Sequence, residues 1–416
     1  MENKKFIRMQ KGIAIYNLSH LPQIIFEVTD ACNLKCKYCA FSDLYTGYDP
    51  RENNYLSFNY AKNIIDYLAD FWNTHSSIVF PTRLNIGFYG GEPLLNFHLI
   101  KEIVSYIESF ENIGRAISYS MTTNATLLDR YIDYLVEKDF SLLISFDGDE
   151  WAQGFRLYKN GESSFADVYA NMKLVQKKYP VFFEKNISFN SVLHSRNDIE
   201  SIYDFFKTNF SKTPKISALS DSGINKDTLD EYRNICNDYS GSFCRISDSK
   251  IKEIEEASLL SSPVISRFYK TFESESGNVF YDFHELLFKK EDLGAYPTGS
   301  CLPFSKRMFI TVHGKILQCE RIDHEYFSGK VNDKGVELDL EQLTDNYNRD
   351  IFKYMHQCVD CITNTRCPVC IYRIDDLYKT MNCSSYKKGD KIKLNLNLLR
   401  ENPQLLDKVY QIKTIK

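Results

Sequence analysis

The chain has no apolar run approaching the ~18 residues that a membrane-spanning helix needs. Its start, Met1-Glu2-Asn3-Lys4-Lys5, is not followed by the apolar stretch of a signal peptide. It lacks an excess of either charge: a net −4 over 416 residues gives no basis for binding nucleic acid or an anionic membrane. Twelve cysteines in so long a chain without a secretory signal argue against a disulfide framework and for reduced thiols in a cytoplasmic protein. None of the eight histidines has metal-ligand spacing, and His194 and His313 read as turn or core residues. What remains is an ordinary globular composition, 43% hydrophobic and 25% charged, long enough to bury a large core. The 28 Tyr and 29 Phe fit an aromatic-rich core.

The cysteines fall into three groups: Cys32, Cys36 and Cys39; then Cys236 and Cys244; then seven between Cys301 and Cys383. The first group follows the apolar run Ile24-Ile25-Phe26-Glu27-Val28, which reads as a buried strand. A structural zinc site wants four ligands, commonly in C-x2-C pairs, and no fourth Cys or His lies near this loop. Three thiolates suit a four-iron cluster with one iron open to another ligand.

From residue 21 to about 220 strand-like and helix-like segments alternate. Strands are expected at Gln23–Val28, Arg83–Phe88, Arg115–Met121, Ser141–Phe146, Asn186–Val192 and Lys215–Ala218. Helical periods lie between them, as in Ser57–Trp72 with Ser57 as cap, and at Asn96–Phe110, Leu128–Lys138, Ser164–Lys178 and Asp198–Phe210. This alternation predicts an α/β fold with a parallel sheet, a partial (β/α)6 TIM-like barrel. Chemistry in such barrels sits at the C-terminal strand ends. The three-cysteine loop, Tyr89-Gly90-Gly91-Glu92-Pro93, Thr122-Thr123-Asn124 and Asp147-Gly148-Asp149 all fall on that rim.

Cys32-x3-Cys36-x2-Cys39, with an aromatic before the last cysteine, and Gly90-Gly91-Glu92-Pro93 together resemble the radical SAM superfamily over residues 21–220. The resemblance implies that the open iron is chelated by the methionyl end of S-adenosylmethionine (SAM). An electron from the cluster then yields a 5′-deoxyadenosyl radical, the donor being an external protein such as flavodoxin or ferredoxin. It further implies that Gly90 and Gly91 allow close backbone approach and that Glu92 meets the SAM amino group. Tyr38 would lie against the adenine, Ser145 would bind the ribose, Arg156 would reach the carboxylate, and Leu193 would line the adenine pocket. Asp147 reads either as a turn-former or as a substrate contact.

Residues 1–20 read as an N-terminal extension, 221–292 as a polar helical connector and 391–416 as a tail. Residues 293–390 hold an expected β-hairpin, Met308–Val312 and Lys315–Leu317 about His313-Gly314, and the cysteines Cys301, Cys319, Cys358-x2-Cys361-x5-Cys367-x2-Cys370 and Cys383. Seven thiols overfill one zinc site and fall short of two. After a radical SAM core they resemble the SPASM extension, which holds two auxiliary [4Fe-4S] clusters. That resemblance implies a distal cluster on Cys358, Cys361, Cys367 and Cys383, and a nearer one on Cys301, Cys319 and Cys370. The x2 spacing before Cys370 is one shorter than the family pattern, and residues 302–318 lack the further cysteine of fully ligated members. The nearer cluster is therefore expected either to keep an open iron or to be completed by Cys236 or Cys244. Glu320, directly after Cys319, stands where sulfatase-maturating relatives place a proposed base; the alternative is an ion pair with Arg321 or Lys306.

SPASM enzymes mostly modify peptides, and Pro297–Pro303 with Cys319-Glu320-Arg321 look most like maturases of cysteine-rich ribosomal peptides. The expected substrate is a leader-bearing, cysteine-containing peptide (RiPP biosynthesis), with thioether or other cross-link formation as the reaction. The alternatives are a formylglycine-generating sulfatase maturase and, in another class, a non-catalytic iron–sulfur scaffold or electron carrier. Only 31 residues precede Cys32, too few for a leader-binding winged-helix unit, so leader recognition is expected to fall to a separate protein or to the connector.

Overall fold

A computed structural model of the chain describes residues 6–75, 83–110, 114–237, 241–242, 246–257, 296–361, 367, 369–374, 383, 386, 388 and 400. Twelve strands form among the described residues. The first eight are β1 (Gln23–Thr29), β2 (Leu34–Cys36), β3 (Arg83–Gly90), β4 (Ala116–Thr123), β5 (Ser141–Ser145), β6 (Arg156–Tyr158), β7 (Ile187–Leu193) and β8 (Lys215–Ala218). The last four are β9 (Met308–Ile310), β10 (Lys315–Leu317), β11 (Gly329–Asn332) and β12 (Gly335–Glu337). Ten of them make one sheet in the order β12-β11-β10-β9-β1-β3-β4-β5-β7-β8. Its six central parallel strands, β1, β3, β4, β5, β7 and β8, are the partial barrel expected from the sequence.

Two of the helices between strands begin at side-chain caps. In α1 (Phe58–Thr74) the Ser57 side chain accepts from Asn59 N, and Ile64, Ile65, Leu68 and Trp72 are buried. α2 (Phe97–Glu108), α3 (Leu128–Glu137) and α4 (Phe165–Lys178) follow the next strands. α5 (Ile199–Phe210) opens with a capping box in which Asp198 accepts from Ser201 N. Phe146, just past β5, and Phe189 of β7 meet Phe205, Phe206 and Phe210 of α5 in one aromatic cluster. No helix among the described residues is long and apolar enough to cross a membrane.

The expected hairpin is β9–β10, turning at Gly314. Here φ is +75°, and a Cβ would stand 2.1 Å from Val331 O, so glycine is required. β9 pairs parallel with β1, Ile24 against Met308 and Phe26 against Ile310, so the hairpin continues the barrel sheet at its β1 edge. All three β9 residues are buried, which is the reason the edge is covered by this segment.

The chain forms two compact units. Residues 10–270 and 301–345 make one, which contains the whole sheet; residues 1–9, 271–300 and 346–416 make the other. In the second, Met9 and Asn348 exchange hydrogen bonds of 2.8 and 2.9 Å, and Ile371 N donates to Ser300 Oγ at 2.7 Å. Of the expected connector, 258–292 lies outside the described residues, as does all of the tail except residue 400.

Candidate active site

The three-cysteine loop grows from a root, Thr29–Ala31, that is clamped on both sides. On one side Asp30 accepts from Asn54 N (2.7 Å) and Asn54 Nδ2 (3.0 Å), and Thr29 Oγ1 donates to Asn54 O (2.7 Å). On the other, Gly91 N donates to Thr29 O (2.9 Å) and Glu92 N to Ala31 O (2.8 Å). A Cβ on Gly90 would lie 2.1 Å from Thr29 O, and one on Gly91 2.1 Å from Ala31 O. The close approach that these glycines permit is thus to the root of the cysteine loop itself.

β2 carries Cys36 and pairs antiparallel with β6, setting Cys36 opposite Arg156. Cys39 N donates to Cys36 O at 3.2 Å, turning the loop back on itself. Burial pushes the Cys32 thiol up to about 11 and Cys36 to about 12, and the neighbouring thiols add to both. Buried thiols that crowd one another ionise readily only against a cation, and a three-thiolate iron cluster supplies that charge. The donor set fits the cluster.

Glu92 stands beside it, almost fully buried. Its carboxylate accepts from Thr123 Oγ1 (2.6 Å), Leu94 N (3.1 Å) and Asn124 N (2.7 Å). Burial raises its pKa to about 7 despite these bonds. Among the described residues no basic side chain pairs with it. A buried carboxylate with hydrogen bonds but no cation suits an ammonium group.

Asp147, fully buried at the end of β5, ties the loop to the barrel. Arg156 grips it through Nε (2.9 Å) and Nη2 (3.1 Å), Val192 N donates to it (2.9 Å), and the Tyr38 hydroxyl donates to Oδ2. His194 stacks on Tyr38 and accepts at Nδ1 from Arg196 N (3.1 Å), which leaves its proton on Nε2, 3.4 Å from Asp147 Oδ2. Burial alone would push Asp147 up; Arg156, with His194, holds it at about 2.

The expected site residues lie as follows. Asp147 is neither a turn-former nor a substrate contact but a buried anion joining Tyr38 and Arg156. Arg156, expected on the SAM carboxylate, has its carboxylate-binding edge occupied by Asp147. Leu193 shares a face of β7 with Phe189, which packs on α5, so strand alternation turns it toward the helices. Val192, on the other face, packs against the cluster of Tyr38, Tyr45 and Tyr232. Ser145 ends β5 half-buried, in register with Asn190.

The remaining cysteines are placed unit by unit. Cys358, Cys361, Cys367 and Cys383, the four assigned by resemblance to the distal cluster, line one pocket with Thr298 and Tyr354. Cys370 precedes the single turn Ile371–Arg373. In the sheet-bearing unit, Cys301 and Cys319 both act electrostatically on Arg307. Arg307 Nη1 donates to both oxygens of Glu320, at 2.7 and 2.9 Å, and Arg321 stands at 3.6 Å. Glu320 thus stands in an ion pair, with Arg307 where Lys306 was expected. Burial raises the Glu320 pKa, but Arg307 and Arg321 outweigh it and hold the carboxyl below its usual range. Cys236 is exposed and forms a bridge with His194, while Cys244 lies outside the described residues. The Asp147 anchor and the role of Arg307 escaped the sequence reading, because both depend on which side chains the fold brings within reach.

Residues 26–208, which carry the thiol loop, Glu92 and the Asp147 anchor, match the family model of the radical SAM superfamily. These residues form a radical SAM domain. Such a domain implies a four-iron cluster and SAM. Among curated proteins it is 37% identical over 165 residues to an uncharacterized protein of Methanocaldococcus jannaschii, MJ0907, covering 39% of this chain and 51% of that one. It is 24% identical over 234 residues to the radical SAM cyclopropyl synthase TigE of Paramaledivibacter caminithermalis, covering 54% and 44%. The cysteine-type anaerobic sulfatase-maturating enzyme of Clostridium novyi is 26% identical over 193 residues, covering 46% and 49%. The chain spans about half the length of these curated relatives. The solved structure of native anSMEcpe with bound AdoMet and Cp18Cys peptide aligns over 94% of this radical SAM chain and 99% of that one. The TM-score is 0.61 at 15% identity, a likeness of fold that includes the cysteine-rich C-terminal region.

Proposed function

We propose that this radical SAM enzyme is a peptide maturase that forms a thioether or other cross-link in a ribosomally made, cysteine-containing peptide. One observation carries the reading: three half-buried, neighbouring thiols share a root with a buried carboxylate that pairs with no protein cation among the described residues. When bound, the cluster and SAM supply the electron and the adenosyl radical. Glu92 holds the SAM ammonium, Ser145 is assigned the ribose, and Tyr38, fixed by Asp147, backs the loop between Cys36 and Cys39. Cys358, Cys361, Cys367 and Cys383 hold an auxiliary cluster, and Cys301 and Cys319 contribute to another. An external electron donor and, for the peptide, a leader-binding partner complete the system.

Glu92 makes SAM binding pH-dependent. With its pKa raised to about 7, a proton competes with the ammonium below that pH. SAM affinity is expected to be flat above about pH 7 and to fall by up to about tenfold per unit below it. Equilibrium dialysis of the reconstituted protein across pH 5.5–8.5 (about the range to scan) checks this; Glu92→Gln should bind weakly and lose the slope.

Glu320 is ionised, as a proton acceptor must be, and lies beside Cys319. We assign it the proton taken from the substrate. Glu320→Gln is then expected to lower product formation by about 10²-fold or more, with 5′-deoxyadenosine still released. Equal losses of both products would place Glu320 in SAM cleavage instead.

The reading is tested by co-expressing the enzyme with a short cysteine-rich peptide and weighing the peptide. Loss of a hydrogen pair per modification supports a cross-link. Loss of sulfur from cysteine would identify formylglycine formation instead, and an unchanged mass would point to epimerisation.

A further inference from the structure

We propose that Tyr89 holds the substrate in place, its hydroxyl donating a hydrogen bond to a backbone carbonyl of the peptide beside the residue that loses hydrogen. The role rests on the proposed function, because it needs a peptide inside the barrel.

Strand register places the ring inside the barrel. Phe88, one step before it on β3, lies beside Met121 of β4. Thr123, two steps on from Met121, lies beside Ile144, and Ile144 beside Phe189, which packs on α5. These residues share the face that the helices cover, so Tyr89 is turned to the opposite, inner face. There it stands beside Glu27 of β1 and meets Phe309 of β9 edge-on, with ring centres 6.2 Å apart.

The neighbours of the hydroxyl are the two ends of the reaction. Cys39 of the three-cysteine loop and Glu320, which is assigned the substrate proton, both act on it electrostatically. The reacting residue of a peptide has to lie between the source of the radical and the proton acceptor, and Tyr89 borders that space. Two other rim tyrosines have their hydroxyls engaged, Tyr38 on Asp147 and Tyr45 on Ser220 O at 3.1 Å. The Tyr89 hydroxyl bonds to no described residue, and its side chain is half-buried rather than closed off. A tyrosine in so apolar a setting normally has a partner for its hydroxyl, and here that partner is left for the substrate to supply.

The chemistry of the group limits what it can bind. Burial, and then the negative Glu320, raise the phenol's pKa, so at neutral pH it is a donor and not a base. It carries no charge to pair with an ion, and a substrate carboxylate there would meet Glu320. A peptide offers a neutral acceptor at every residue, its backbone carbonyl. One donor aimed at one carbonyl fixes where the neighbouring side chain points, which is what a selective hydrogen abstraction needs.

The test uses reconstituted full-length protein, SAM and the cysteine-rich peptide of the co-expression experiment. Tyr89→Phe keeps the ring and its contact with Phe309 and removes only the hydroxyl. The peptide dissociation constant is expected to rise about three- to tenfold, with that of SAM unchanged. Product formed per 5′-deoxyadenosine released should fall about tenfold, because the radical meets a misplaced substrate. The acceptor is read on the peptide: thioamides, weaker acceptors than amides, are placed at one carbonyl at a time. In wild type one position should weaken binding, and in Tyr89→Phe that position should lose its effect. Equal peptide affinity and equal product per 5′-deoxyadenosine in wild type and Tyr89→Phe would overturn the proposal, as would a loss confined to SAM binding. Failure of the proposed function would show differently, as wild-type protein that binds the peptide and leaves its mass unchanged. The affinity measurements would still decide the role of Tyr89 in that case.

Discussion

Cys32, Cys36 and Cys39 replaced together by alanine are expected to abolish reductive SAM cleavage, with no 5′-deoxyadenosine above background. Iron should fall by about a third, one four-iron cluster of the proposed three, and the remainder should stay on the cysteines from Cys301 to Cys383. The arrangement explains the separation. The first three thiols sit on a loop rooted between β1 and β3, whereas Cys358, Cys361, Cys367 and Cys383 line a pocket in the other compact unit. The substitution should leave the barrel folded, because the root is held by Asp30, Gly91 and Glu92 backbone and side-chain bonds that involve no thiol. Chromatographic assay of 5′-deoxyadenosine and iron analysis check the two halves separately. Complete loss of iron in the triple variant would contradict independent sites.

The second large effect belongs to Asp147→Asn. A buried carboxylate here satisfies Arg156, Tyr38, Val192 N and the His194 Nε2 proton. The amide keeps the shape but leaves the Arg156 charge buried and uncompensated, at a cost of about 3–5 kcal/mol. Because Arg156 pairs across β6–β2 with Cys36, and Tyr38 lies between Cys36 and Cys39, the damage should reach the loop as reduced cluster occupancy. Adding Arg156→Gln removes the orphaned charge and should restore much of the melting temperature. Thermal unfolding of the single and double variants decides the point; a single variant as stable as wild type would deny the anchor. The sign with pH is fixed as well. Asp147 is depressed to about 2, so its contribution is present at neutral pH and is lost as pH falls from about 4 toward 2.

The barrel was legible in the sequence because parallel strands covered on both faces read as short apolar runs, and because Ser57 and Asp198 mark helix starts locally. The rim motifs were legible for the same reason: once the strands are placed, the residues just after them must share one end. Pairings between distant segments were not. That β9 would pair with β1, some 280 residues away, depends on which edge of the barrel is left apolar and free. The face that Leu193 takes was not legible, because a single step along a strand exchanges one face of the sheet for the other. Arg156 and Glu320 each found a partner the sequence did not name, Asp147 and Arg307, which only the fold brings within reach.

The central claim is that the open position of the Cys32, Cys36 and Cys39 cluster is the SAM site. Electron paramagnetic resonance of the reduced, reconstituted protein with and without SAM tests it most directly. The account predicts a changed cluster signal on SAM addition, in wild type and not in the triple cysteine variant. A signal indifferent to SAM in wild type, with all clusters present and reduced, would contradict it.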